Sequence, residues 1–155
     1  MKKAHASRLR NLHDLLNPKY ITMGIAHINP DGMMKTPVFS QAVITSGSGK
    51  TIYIGGQNAV NEKGEVVGKG DIAGQTEQVM KNIVTALEAC GATMKDVVKL
   101  NIFITQGHDA QKGFEASQKF MPKDAKPPVI TALYVAGMGN PDFLLEIDAV
   151  AFVAD

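Results

Sequence analysis

Between Gly70 and Gly91, apolar and small residues recur every three or four positions: Ile72, Thr76, Val79, Met80, Ile83, Val84, Leu87 and Cys90. That period puts them on one stripe of a helix and leaves Gln75, Glu77, Gln78, Lys81, Asn82, Thr85 and Glu88 mostly on the other faces. Asp71 is placed to cap the free amides of the first turn, and Gly91 to close the last turn in a left-handed conformation. A helix with one apolar stripe needs an apolar sheet to lie on. Alternating runs over 38–45 and 51–57 before it, and 97–105 after it, supply strands, with Ser46-Gly47-Ser48-Gly49 reading as a hairpin turn between the first two. Residues 109–121 predict a second helix that packs through Phe114, Ser117 and Phe120 and is stopped by Pro122. Residues 129–135 and 143–153 read as the last two strands. Upstream, 20–28 can hold a short strand, Asn29-Pro30-Asp31-Gly32 a turn, and 4–16 a short amphipathic helix through Leu9, Leu12, Leu15 and Leu16. The expected body, residues 36–155, is an α+β domain in the order β-β-α-β-α-β-β, a mixed sheet with both helices on one face, behind an N-terminal extension at 1–35. The closing run LLEIDAVAFVA is apolar at both parities, so the second face of the sheet also needs a cover. Two helices do not suffice for both faces, and the expectation is an oligomer.

Composition narrows the function classes. A chain of 155 residues fits one domain with a real core, and no apolar run approaches the roughly 20 residues a bilayer requires. A net charge of +1 gives no case for nucleic acid or an anionic membrane. The basic start, MKKAHASRLRNLHDLL, is broken by charges and has no h-region, so the expectation is a cytoplasmic protein without an export signal. Cys90 is the single cysteine; it excludes an internal disulfide and reads as a small core residue rather than a nucleophile. His5, His13 and His27 have no zinc-like spacing and read as surface residues, while Met33, Met34 and Met138 read as packing, so no metal or cofactor is expected. Arg8 and Arg10 are the only arginines, and residues 11–155 contain none. Two glycine motifs carry nothing. SGSGKT has Ile44 where a phosphate-binding loop needs its first glycine, and Gly68-Lys69-Gly70-Asp71-Ile72-Ala73 lacks the acidic strand-end residue of a dinucleotide site, Glu88 lying inside the helix.

Several short stretches then carry a resemblance: Phe39-Ser40-Gln41-Ala42, Gly55-Gly56-Gln57, Gly70-Asp71-Ile72 with Gln75-Thr76, Asn82-Ile83, Cys90-Gly91-Ala92, Asp96-Val97-Val98-Lys99, Pro127-Pro128 and Glu146-Ile147-Asp148-Ala149-Val150-Ala151. Together, in order and with the right gaps over about 36–153, they resemble the reactive intermediate deaminase family (Rid, YjgF-like, L-PSP endoribonuclease-like). The resemblance implies a chorismate-mutase-like fold, a homotrimer, three small-molecule clefts between subunits, and cofactor-free hydrolysis of enamines and imines to 2-keto acids and ammonia. In that chemistry an arginine grips the substrate carboxylate and a glutamate positions or activates water.

Position by position the match is uneven. Ile130 stands where the family has its arginine, within Pro128-Val129-Ile130-Thr131. Phe39 replaces a common tyrosine, Gly55 a serine, Ala132 a frequent cysteine, and His108 corresponds to an asparagine. Glu146 is retained. The resemblance therefore makes Glu146 and His108 the catalytic candidates, and Phe39, Gly55, Gly56, Ile130, Thr131 and Ala132 the ligand-binding ones, with Tyr134 a further lining candidate. Loss of the fork favours a more apolar or uncharged ligand and weak or altered hydrolase activity. The alternative is a competent 2-imino acid deaminase in which Lys99, Arg8 or Arg10 replaces the arginine. Glu146 can also be read as a carboxylate accepting backbone or Lys99 hydrogen bonds at an interface, and His108 as a capping or surface histidine. A ribonuclease lacks a basic stripe and a stacking platform here, and a scaffold trimer without a chemical site is the remaining class.

Overall fold

In a computed structural model the described residues are 23–155. The expected helix at 4–16, with Arg8, Arg10, His5 and His13, lies outside them. The elements run β1 (Gly24–Ile28), β2 (Ala42–Ser46), β3 (Gly49–Gln57), α1 (Ile72–Ala89), β4 (Val97–Thr105), α2 (Ala110–Ser117), β5 (Val129–Val135) and β6 (Leu145–Ala154). Four strands form a mixed sheet in the order β3-β6-β4-β5, antiparallel except for the parallel pair β4 and β5 that α2 connects. The expected α+β class with two helices and a mixed sheet holds. No helix among the described residues is long and apolar enough to cross a membrane.

The central helix forms where its period places it. Asp71 caps it by accepting from the amide of Ala73 at 3.0 Å, and Gly91 follows its end at φ +68°, a conformation costly for any residue with a Cβ. Its buried stripe, Ile72, Val79, Met80, Ile83 and Leu87, lies against Ile52 and Ile54 of β3 and Leu145, Ile147, Ala149 and Ala151 of β6. Cys90 is exposed: the helix stops at Ala89, so the next member of the period falls at the cap and not in the core. Gln75 corrects the pattern in the other direction. It is fully buried because its amide reaches backbone on both sides, donating to the Asp142 carbonyl at 2.7 Å and accepting from the Leu144 amide at 2.9 Å.

The hairpin expected at 46–49 does not form. β2 pairs with β1 in a separate two-stranded sheet, and β3 pairs with β6. Residues 46–49 are a corner between sheets, and a Cβ on Gly49 would stand 2.5 Å from the Val153 carbonyl oxygen. β2 also starts at Ala42, not 38, because the backbone of the preceding residues is used elsewhere: the Ser40 amide bonds the Pro128 carbonyl at 3.0 Å, and the Gln41 amide bonds Asn29 Oδ1 at 2.9 Å. In the same way β6 starts at Leu145 because Phe143 and Leu144 are bonded to Asn140, Gln75 and Thr105. The second helix buries Gly113 and Ala116 where Phe114 and Ser117 were expected, since Gly113 lets α2 approach α1 until its missing Cβ would lie 3.1 Å from Thr76 Oγ1. Phe114 is left at the mouth of a cavity.

Candidate functional site

The gap between α2 and the sheet is that cavity, about 320 Å³. Ile102 and Ile104 of β4, Ile130 and Ala132 of β5, and Leu145 and Ile147 of β6 line its sheet side. Ile72 and Thr76 of α1 and Ala110, Gly113, Phe114 and Ser117 of α2 line its helix side, and Val38 and Phe39 close one end. Its two hydroxyls are both committed within their own helices, Thr76 Oγ1 to the Ile72 carbonyl at 2.7 Å and Ser117 Oγ to the Phe114 carbonyl at 2.7 Å. Among the described residues the lining contains no charged side chain.

Phe39 is held there by a clamp that spans the chain. Ser40, 3% exposed, donates through Oγ to the Pro127 carbonyl at 2.6 Å, and Nδ1 of His27 on β1 lies 3.0 Å from both that carbonyl and Ser40 Oγ. His27 is therefore half-buried, contrary to its reading as a surface residue. Burial pushes its pKa below the ordinary histidine value, the Pro127 bond opposes that, and the charge of Lys126 adds to the lowering. The clamp joins β1, the start of β2 and the entry to β5, so the segment carrying Phe39 cannot drift from the strand carrying Ile130. An exposed ion pair between Lys119 and Glu77 links the turn after α2 to α1, and the Lys119 bond lowers the Glu77 pKa.

The expected polar residues Glu146 and Thr131 sit on the opposite face of the sheet. Alternation along β6 turns Glu146 away from Leu145 and Ile147, and along β5 it turns Thr131 away from Ile130 and Ala132. Glu146 pairs in register with Phe103, and its side chain lies over Gly56, where an added Cβ would fall 2.1 Å from Oε1. Gly55 and Gly56 occupy the register shift of β3 between Ile54 and Gln57, a bulge of the kind that often adjoins active sites. The Glu146 carboxylate is half-buried and carries no hydrogen bond or ion pair among the described residues. Its neighbour Asp148, by contrast, accepts from Asn101 Nδ2 at 2.8 Å. Lys99 lies on the same face and does not reach Glu146. His108 is half-buried in the turn before α2, outside the cavity lining, and Tyr134 is 56% exposed and also outside it, at the open end of the edge strand β5. The chain thus brings Phe39, Ile130 and Ala132 together on one side and Gly55, Gly56 and Glu146 on the other.

A family model described as endoribonuclease L-PSP matches residues 33–153. The chain belongs to the endoribonuclease L-PSP (Rid/YjgF) family. Among its relatives is a RutC family protein of Pyrococcus horikoshii, 35% identical over 115 residues, which are 74% of this chain and 86% of that protein. A 2-iminobutanoate/2-iminopropanoate deaminase of Dermatophagoides farinae is 35% identical over 89 residues, 53% of this chain and 67% of that protein. The crystal structure of a protein of unknown function of the conserved Rid family, YyfB of Yersinia pestis, superposes with a TM-score of 0.75 at 33% identity, covering 84% of this chain and all of that one.

Within this Rid/YjgF fold, the lining from Ile72 and Thr76 of α1 and from Ile102 and Ile104 of β4 was legible only as core, because a stripe that meets a sheet looks the same in sequence whether or not a gap separates them. The clamp residue His27 left no local signal, its partner Pro127 being 100 residues away.

Proposed function

We propose that this chain is a small-molecule-binding Rid/YjgF protein that assembles as a homotrimer, each cleft pairing the apolar cavity of one copy with the Glu146 face of the next, and that its imine and enamine hydrolysis is weak or altered. The observation that carries this reading is the split of the candidate residues: among the described residues the cavity lining offers no uncommitted side-chain polar group to act on a substrate, and the Glu146 carboxylate, which has no partner, faces away from it. A second copy supplies each with what it lacks. In such a cleft Glu146 accepts a proton as water oxygen adds to an imine carbon and returns it to the nitrogen; the carbinolamine then passes its hydroxyl proton to the nitrogen through the same carboxylate, the carbon–nitrogen bond breaks, and ammonia leaves as the carbonyl forms. His108, two residues before the cavity residue Ala110, is the second polar candidate at the rim. No cofactor or nucleic acid enters this reading, and the expected setting is the cytoplasm.

Light scattering of the purified chain is expected to give the mass of three copies. A monomer that persists across concentrations would remove the shared cleft.

Activity is tested by keto-acid release from a 2-imino acid generated in situ. The wild type is expected to be slow, and Ile130→Arg to raise kcat/KM about 10-fold or more by restoring a charge-assisted fork for the carboxylate. The relative named 2-iminobutanoate/2-iminopropanoate deaminase favours a second reading, a competent 2-imino acid deaminase, and fast wild-type turnover that Ile130→Arg does not improve would establish it.

A further inference from the structure

The chemistry of the cavity wall restricts its occupant more tightly than the proposed function does. A carboxylate drawn into it would leave water and find, among the described lining residues, neither a cation nor a free side-chain donor, since Thr76 and Ser117 spend their hydroxyl hydrogens on helix carbonyls. A second copy cannot bring a guanidinium from its body, because residues 11–155 contain no arginine. An uncharged group meets no such penalty. Ile102, Ile104, Ile130 and Ile147 offer it an aliphatic floor, with Phe39 and Phe114 as aromatic edges. The volume of about 320 Å³ lies at the lower end for small-molecule sites, enough for one aromatic ring or branched chain with a short neutral polar end.

We infer that the cavity is a binding site for uncharged carbonyl-class compounds, such as amides, ketones or neutral imines bearing an aryl or branched alkyl group, and that it discriminates against their carboxylate counterparts. This deepens the proposed function by naming the ligand class of the same cleft, and it rests on that reading for the role of Glu146 but not for binding.

Phenylacetamide and phenylacetate test it, being matched in shape and different in charge. With the full chain labelled at isoleucine methyls, phenylacetamide is expected to shift the signals of Ile72, Ile102, Ile104 and Ile130 and to bind about 100-fold or more tightly than phenylacetate. Ile130→Arg is expected to invert the preference. Ala132→Lys, on the exposed edge strand, is the second variant should the first not fold, with the same inversion expected. Phenylacetate binding as tightly as the amide, or an amide that leaves these methyls unmoved, overturns the inference. The assay reads binding without turnover, so selective amide binding by a protein with no hydrolase activity sinks only the catalytic reading. Turnover of 2-imino acids with no amide binding sinks only this inference.

Discussion

Gln75→Leu is expected to destabilise the fold by about 2–4 kcal/mol, although it replaces a polar residue in the core with an apolar one of similar size. The side chain is completely buried, and both ends of its amide are in use: Nε2 donates to the Asp142 carbonyl and Oε1 accepts from the Leu144 amide. Leucine fills most of the space but leaves two backbone groups without partners at the entry to β6, and each orphaned group costs about 1–3 kcal/mol. Gln75→Ala adds a cavity and is expected to lose about 1–2 kcal/mol more. Urea unfolding at a fixed protein concentration reads the effect as a lowered midpoint with an unchanged slope. A loss below about 1 kcal/mol for both variants would mean that water or a relaxed loop satisfies those groups, and that the bridge does not hold α1 to β6. The consequence for the site is direct, because Thr76 and Leu145, the next residues along the two joined elements, both line the cavity.

Gln75 also shows where pattern reading stops. Periodicity located α1, its caps and its sheet because those depend on residues a few positions apart, and the cap at Asp71 and the left-handed Gly91 follow from local chemistry alone. The rule that polar residues face outward fails at Gln75, whose partners are 67 and 69 residues away. The corner at 46–49 fails for a related reason. Two alternating runs around glycines look alike whether they pair with each other or, as here, with β1 and β6. The distribution of the site across two faces was, by contrast, open to sequence reasoning. Once β5 and β6 are accepted as strands, their period of two separates Ile130 and Ala132 from Thr131, and Glu146 from Leu145 and Ile147. What no alternation conveys is the depth between α2 and the sheet, which depends on how closely Gly113 lets the helices approach.

The free carboxylate leads to the other large expected effect. In whichever background turns over imines, wild type or Ile130→Arg, Glu146→Gln is expected to lower kcat about 10²- to 10⁴-fold, the usual worth of a positioned general base, with little change in stability because the carboxylate has no partner to lose. Gly56 makes this specific to position. Its φ is not positive, so alanine is compatible with the backbone, yet the new Cβ would lie 2.1 Å from Glu146 Oε1 and 2.6 Å from Cδ. The flexible glutamate gives way before the strand does. Gly56→Ala is therefore expected to leave the melting temperature within a few degrees while lowering kcat about 10- to 100-fold, since a displacement near 1 Å at a reacting group has that cost. The two changes act through one carboxylate, so their effects should not multiply: Gly56→Ala added to Glu146→Gln is expected to slow imine turnover no further. A Gly56→Ala variant as fast as its parent would show that the carboxylate works from another rotamer. Independent losses in the double variant would give Gly56 a contact with substrate of its own. Either result would separate the bulge from the base, whereas shared loss ties the shape of β3 to the chemistry on β6.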